Sequence, residues 1–196
     1  KLKSAGCVHV SMGIESGNEF IRNKIMKRGM SKKQILDAFD WAHQNYIITT
    51  GTCIIGLPFE TENMIEETAE VCAKSYSEFT GANIFYPYKG TELRELCEEY
   101  DFLPENLDEL EVLDRKESIL NMPHISKEKI LYYHNNWQKI VANKRSMAWR
   151  IKGYYNYYKK KILSYIYRIL LNLHLYYTFT RIRSLLRNMG KSSKSC

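Results

Sequence analysis

Three short segments concentrate the residues able to do chemistry. Glu15 and Ser16 stand inside Gly13-Ile14-Glu15-Ser16-Gly17. Gly56 opens Gly56-Leu57-Pro58-Phe59-Glu60-Thr61. Tyr86 and Tyr88 flank a proline in Tyr86-Pro87-Tyr88-Lys89-Gly90-Thr91. The first offers a carboxylate, the second a glycine turn that a ligand can approach closely, and the third two aromatic phenols. Each has a plainer reading. A Glu after a strand also serves as a helix-cap partner, Gly-Leu-Pro is a common turn, Tyr-Pro-Tyr packs well, and Arg28 at a helix end complements the helix dipole. Only their order along one chain lifts them above these readings.

The elements between them set that order. Residues 7–14 alternate and are rich in Val and Ile, which predicts a strand. Asn18 or Ser16 caps a helix running to about Lys27, ended by Gly29. Ser31 with Gln34 forms a capping box for the next helix, whose inner face carries Ile35, Phe39 and Ala42 and which closes at Asn45 and Tyr46. Residues 47–55 are β-branched and nearly continuous, which predicts a strand buried on both faces, as in parallel sheets. Thr61 caps a helix to about Ser77, with Ile65, Thr68, Ala69 and Cys72 inward. Residues 82–86 form a third strand, and a helix follows over Glu92–Glu99. Three strand–loop–helix units roughly 35 residues apart imply a parallel sheet with right-handed crossovers. In such sheets ligands bind at the carboxyl ends of the strands, where the three segments fall. Three units alone leave a sheet edge open and a helix layer incomplete.

Charge divides the chain. Residues 1–128 hold 14 Lys/Arg and all 22 Asp/Glu, whereas residues 129–196 hold 15 Lys/Arg and no acid. The second part needs an anionic partner: lipid headgroups, nucleic acid, or the acidic first part of the same chain. The five cysteines, Cys7, Cys53, Cys72, Cys97 and Cys196, show no metal-site spacing and no disulfide framework, so a reducing cytoplasm is expected. His9 shares a strand face with Cys7 and Ser11. The spacing is poor for a metal, and a buried, hydrogen-bonded histidine is the expectation.

In order, Gly-Ile-Glu-Ser-Gly, Arg28, Ile-Ile-Gly-Leu-Pro-x-Glu-Thr and Phe-Tyr-Pro-Tyr-x-Gly-Thr resemble the C-terminal half of a radical S-adenosylmethionine (SAM) core domain. The likeness covers about residues 1–100 and is nearest to the subgroup preceded by a cobalamin-binding domain. It implies an α/β fold: the C-terminal half of a partial six-unit TIM-like (β/α) barrel with parallel strands. It also implies SAM, a 4Fe–4S cluster held by a CxxxCxxC loop outside this segment, and cobalamin as a further cofactor. Reductive cleavage of SAM would then serve radical chemistry or methyl transfer on a small-molecule or lipid-like substrate. By resemblance, Glu15, assisted by Ser16, meets the ribose or amino group of SAM. Arg28 meets its carboxylate, with Lys27 as a neighbour able to take that role. Ile54, Ile55 and Gly56 pack against adenine, and Tyr86 and Tyr88 meet the adenine edge. Phe59 and Lys89 depart from the family pattern, which has Gly and Pro there.

The rest of the chain reads as an acidic linker over residues 101–128 and a basic, aromatic helical tail over residues 129–196 with a disordered end. Within residues 148–189, Ile162, Tyr165, Ile166, Ile169 and Leu173 recur at helical spacing among Lys and Arg. This suits a helix lying on an anionic membrane surface, a helix covering the open barrel, or a nucleic-acid segment, with nucleic acid the least favoured. Arg168, Asn172 and His174 interrupt the apolar runs, so no bilayer-spanning segment is expected. The absence of an initiator Met predicts a fragment of a longer protein, with a CxxxCxxC roughly 80–120 residues upstream. The competing reading is a truncated, non-catalytic remnant that binds membrane or protein through its tail.

Overall fold

A computed structural model describes residues 1–105, 107 and 117–145, together with residues 166 and 169. The chain divides into two units, Lys1–Arg145 and Ser146–Cys196. The first is α/β. Its elements are β1 (His9–Glu15), a π-helical turn (Phe20–Ile25), α1 (Lys32–Gln44), β2 (Ile48–Ile55), α2 (Glu62–Lys74), β3 (Phe79–Ile84), α3 (Glu92–Glu99) and α4 (Lys127–Lys144). The three strands form one open sheet in the order β1-β2-β3, and both pairings are parallel. A parallel sheet with helical crossovers is the geometry of a partial β/α barrel, as expected.

Local chemistry explains the elements. The Ser31 side chain accepts from Gln34 N while Gln34 Oε1 accepts from Ser31 N, which completes the capping box of α1. Ile35, Phe39 and Ala42 are buried along its inner face, and Ile65, Thr68, Ala69 and Cys72 along that of α2. Thr61 stands at the cap position of α2 without a side-chain capping bond, and the helix ends at Lys74.

Four expectations change. The turn over Phe20–Ile25 is π-helical: Met26 N bonds to Ile21 O, and Arg28 N reaches back to Arg22 O. After the turn, the Asn23 side chain holds the chain at Met30, donating to its carbonyl and accepting from its N–H. β2 is buried on one face only. Thr49, Gly51, Cys53 and Ile55 are buried, whereas Ile48, Thr50, Thr52 and Ile54 are half-buried. β3 begins three residues earlier than the hydrophobic pattern suggests, because Phe79 pairs with Thr50 and Gly81 with Thr52. His9 is exposed, although it is hydrogen-bonded: its Nε2 lies 2.9 Å from Thr50 Oγ1.

The helices pack on one face of the sheet. There Ile14, Cys53, Ile55, Ala82 and Ile84 meet Phe39, Ile65 and Cys72 in a single core. The other face presents His9, Ser11 and Gly13 of β1, Thr50, Thr52 and Ile54 of β2, and Gly81 and Asn83 of β3. None of these is fully buried.

Phe102, Leu120, Met122 and Ile125, from the stretch read as a linker, belong to the core cluster. α4 packs on β3 and α2. Trp137 Nε1 donates to Thr80 Oγ1 at 3.0 Å, His134 Nδ1 lies 2.7 Å from Ala82 O, and Gln138 donates to Thr80 O. Side chains of a helix thus satisfy the outer carbonyls of β3, where a further strand would otherwise pair. Of the amphipathic stretch in the tail, only Ile166 and Ile169 are described. Both are helical and exposed. The rest of the predicted membrane, nucleic-acid or covering helix lies outside the described residues. Among the described residues no helix is long and apolar enough to cross a membrane.

Candidate functional site

Parallel strands end on the same rim, so the loops after β1, β2 and β3 open side by side. Glu15 pairs in register with Cys53, and Phe85 N donates to Ile55 O at 2.8 Å, which joins the three strand ends. The outer loops also meet each other. Lys27, after β1, forms an ion pair with Glu92, next to the loop after β3. Both partners are exposed, so the contact shows proximity rather than adding much stability.

Glu15 sits at a bulge: the register slips between Gly13 and Glu15. Its φ of 63° lies in the left-handed region that glycine favours. That turn folds the carboxylate back over the strand. A Cβ on Gly13 would stand 2.4 Å from Glu15 Oε1. The same oxygen accepts from Arg28 Nη2 at 2.8 Å, with the Glu15 side chain 15% exposed and that of Arg28 47% exposed. The structure therefore brings these two predicted residues together as a carboxylate–guanidinium pair at the rim.

The loop carrying Glu15 is tightly held. Ser16 is fully buried. Its Oγ accepts from Asn18 N and lies 3.3 Å from Thr68 Oγ1, and Gly17 N donates to Thr68 Oγ1 at 2.8 Å. A Cβ on Gly17 would fall 2.4 Å from Glu67 O and 2.5 Å from Thr68 Cα, so only glycine lets the loop touch α2. Arg22, buried among these groups, donates from Nη1 to the carbonyls of Ser16 and Gly17 and from Nε to Met30 O. Burial lowers the Arg22 pKa, and Glu19 opposes the shift. Arg22 was not among the residues that the sequence singled out. Its burial had no clear signal, because Lys24, Lys27 and Arg28 stand close by in sequence; once buried, a guanidinium must find carbonyl partners.

The turn after β2 is built on a second carboxyl. Gly56 has φ of 76°, and Glu60, fully buried, accepts from Gly56 N at 2.6 Å and Leu57 N at 3.3 Å through Oε2. Its Oε1 is buried without a hydrogen-bond partner. Burial drives the pKa up to about 8, against the two backbone bonds that favour the ionised form. Glu60 shapes the turn; the Gly-Leu-Pro-x-Glu spacing carried it, but as motif rather than as site. Ile54 is half-buried on the open face beside Thr52. Ile55 is fully buried on the helix-covered face, and Ser16 is buried inside its loop. Their side chains support the rim rather than line it. Tyr86 is half-buried and Tyr88 exposed, with their rings packed edge-to-face at 4.9 Å. The Tyr88 carbonyl accepts from Thr91 Oγ1, which also caps α3.

A carboxylate beside a guanidinium complements a zwitterion. Glu15 attracts an ammonium group, and Arg28 attracts a carboxylate. Gly56 is itself buried, with its N–H donated to Glu60 and its Cα against Ile130 of α4, so it shapes the turn and does not line the rim. A half-buried Ile54 and two phenols add a surface for a flat, polar-edged group. Among the described residues, no three or more His, Cys, Asp or Glu side chains are grouped to hold a metal ion. Cys53, Cys72 and Cys97 are buried in the core, so the described cysteines do not form a set that could hold an iron–sulfur cluster.

Two comparisons bear on this rim. Residues 1–72 match the family model described as the Radical SAM superfamily. The chain is also similar to an uncharacterised methyltransferase of Pyrococcus horikoshii, 35% identical over 94 residues, which is 48% of this chain and 20% of that protein. The chain thus spans about a fifth of the length of the curated relative that it matches. Both findings support the radical SAM superfamily for the first part of the chain.

Proposed function

We propose that residues 1–100 form the SAM-binding half of a radical SAM enzyme whose 4Fe–4S cluster is held by residues outside this chain. The observation that carries the reading is the Glu15–Arg28 pair at the rim, 2.8 Å between charged atoms. The amino-acid end of SAM is a zwitterion of the matching kind. Glu15 takes its ammonium group or a ribose hydroxyl, Arg28 takes its carboxylate, Ile54 packs against adenine on the turn that Gly56 shapes, and Tyr86 and Tyr88 meet the adenine edge. When bound, SAM with a reduced cluster supplies radical or methyl-transfer chemistry; this chain binds and orients it. The relative's printed name favours methyl transfer, and the likeness to the cobalamin-associated subgroup adds cobalamin as a second cofactor of the whole protein. The substrate proposed is a small or lipid-like molecule on the open, polar sheet face.

Charge-assisted hydrogen bonds contribute about 1.5–3 kcal/mol. In the full-length protein purified anaerobically, Glu15→Ala should therefore reduce 5′-deoxyadenosine formation at sub-saturating SAM about tenfold or more. Equal rates for the variant and the parent would remove Glu15 from the site.

We also propose that residues 148–189 bind anionic membrane surfaces. Ile166 and Ile169, helical, exposed and three residues apart, lie in a stretch with no acidic residue. In this second reading the chain is a binding module whether or not it takes part in catalysis. Flotation with vesicles of anionic and of neutral lipid tests it: recovery with anionic vesicles alone is expected, and recovery with neither ends the idea.

A further inference from the structure

The core holds two thiols that the rim does not use. Cys53, on the covered face of β2, and Cys72, on the inner face of α2, are both fully buried, and their sulfurs lie 2.9 Å apart. Carbon atoms in ordinary packing sit about 3.5–4.0 Å apart, and a disulfide bond is about 2.05 Å long. The two sulfurs are therefore closer than packing requires and within about 1 Å of bonding distance. Their place in the fold matters as well. Cys53 is the register partner of Glu15, and Cys72 lies one helical turn beyond Thr68, whose hydroxyl accepts from Gly17 N in the Glu15 loop.

We propose that Cys53 and Cys72 form a reversible disulfide, made by a peroxide and broken by a dithiol, that clamps α2 to β2 beneath the rim. In the first step the thiolate of one cysteine attacks the O–O bond of hydrogen peroxide. An S–O bond forms, the O–O bond breaks, and the departing hydroxide takes a proton to become water. In the second step the other sulfur attacks the sulfenic sulfur. The S–S bond forms, the S–O bond breaks, and hydroxide leaves as water with the second thiol proton. Two thiols and one peroxide give one disulfide and two waters; the sulfurs lose two electrons and the peroxide gains them. Burial pushes the Cys53 thiol well above its usual range and keeps thiolate scarce, so the first step is slow and needs local opening of α2. The second is intramolecular, with its partner already in contact, and is fast. A sulfenic acid on either cysteine is therefore captured rather than oxidised further. Closing the bond draws Cys72 toward the sheet, and Thr68 moves with it on the same helix face.

The test uses the full chain, folded, with hydrogen peroxide or dithiothreitol, followed by unfolding and alkylation. Oxidation should remove two of the five alkylatable thiols. Glu-C cleaves after Glu60 and Glu70 and so separates the two positions. It should release the Cys53 and Cys72 peptides as one linked species, two hydrogens lighter than their sum, which dithiothreitol splits. C72S, checked for an unchanged far-UV circular dichroism spectrum, should give no linked species after the same treatment, with the Cys53 peptide recovered singly, alkylated or carrying added oxygen. Recovery of both peptides unlinked while Cys7 or Cys196 is oxidised overturns the proposal, as does a bridge between any other pair. Neither result depends on whether SAM binds at the rim.

Discussion

Glu15 combines a strained backbone with a charged side chain. A non-glycine residue in the left-handed region costs of order 1 kcal/mol, and such strain gathers at functional sites. Glu15→Gly should therefore leave the midpoint of urea unfolding unchanged or raise it, while SAM binding falls. A clear loss of stability would mean that the Arg28 contact serves the fold. Gly17 is the opposite case. Its missing Cβ would meet backbone, which cannot step aside, so Gly17→Ala should cost about 1–3 kcal/mol, read by the same melt. Glu60 adds a pH dependence. Its folded pKa of about 8 lies above the ordinary 4.5, so the folded chain holds this proton more tightly than the unfolded one. The associated stability is complete below pH 4.5 and is lost as pH rises through 8. Glu60→Gln, which keeps an oxygen for Gly56 N and Leu57 N, should flatten that decline; an identical pH profile for variant and parent would refute the assignment. At this scale Glu15 and Arg28 were each legible as residue types after a strand and at a helix end. Their pairing was not, because it depends on the path of the chain through a π-helical turn, where Arg22 and Asn23 bond to the backbone and leave no trace in hydrophobic spacing.

At the scale of elements, the Ser31–Gln34 box and the inner faces of α1 and α2 could be read directly, since caps and 3.6-residue periodicity are local signals. β3 was harder. The sequence pattern starts it at residue 82, and it is the pairing of Phe79 with Thr50 and of Gly81 with Thr52 that makes the preceding residues strand. β2 misled in another way. A β-branched run looks buried throughout, but Thr50 and Thr52 accept half-exposure on a polar face. α4 tests how much tertiary contact matters. Trp137 is almost fully buried, and its indole bonds to Thr80. Trp137→Ala should cost about 3–5 kcal/mol in urea unfolding. Trp137→Phe should recover the packing but not the hydrogen bond, and so fall between the two. A small effect of the Ala variant would mean that α4 is not part of the cooperative unit.

At the scale of the molecule, the division of charge is partly resolved inside the chain. Lys129 pairs with Glu62 and Lys144 with Glu66, while the Tyr133 hydroxyl donates to both carboxylates. Two lysines of the basic region thus pair with α2, in the acidic first part of the same chain, one of the three partners that charge required. Salt should weaken these partly exposed pairs only slightly, since each contributes less than about 1 kcal/mol, whereas attachment to anionic vesicles through residues 148–189 should fall steeply. Flotation and urea melts at low and high salt separate the two. The overall α/β class was legible from repetition of the βα unit; the role of α4 was not, because its aromatic and basic composition says nothing about which backbone it serves.

The bonds from His134, Trp137 and Gln138 to β3 have a directional consequence. They occupy one border of the sheet, so the ladder is finished on that side. Of the three described strands, β1 keeps the other border, and a further parallel strand that extends this sheet pairs there.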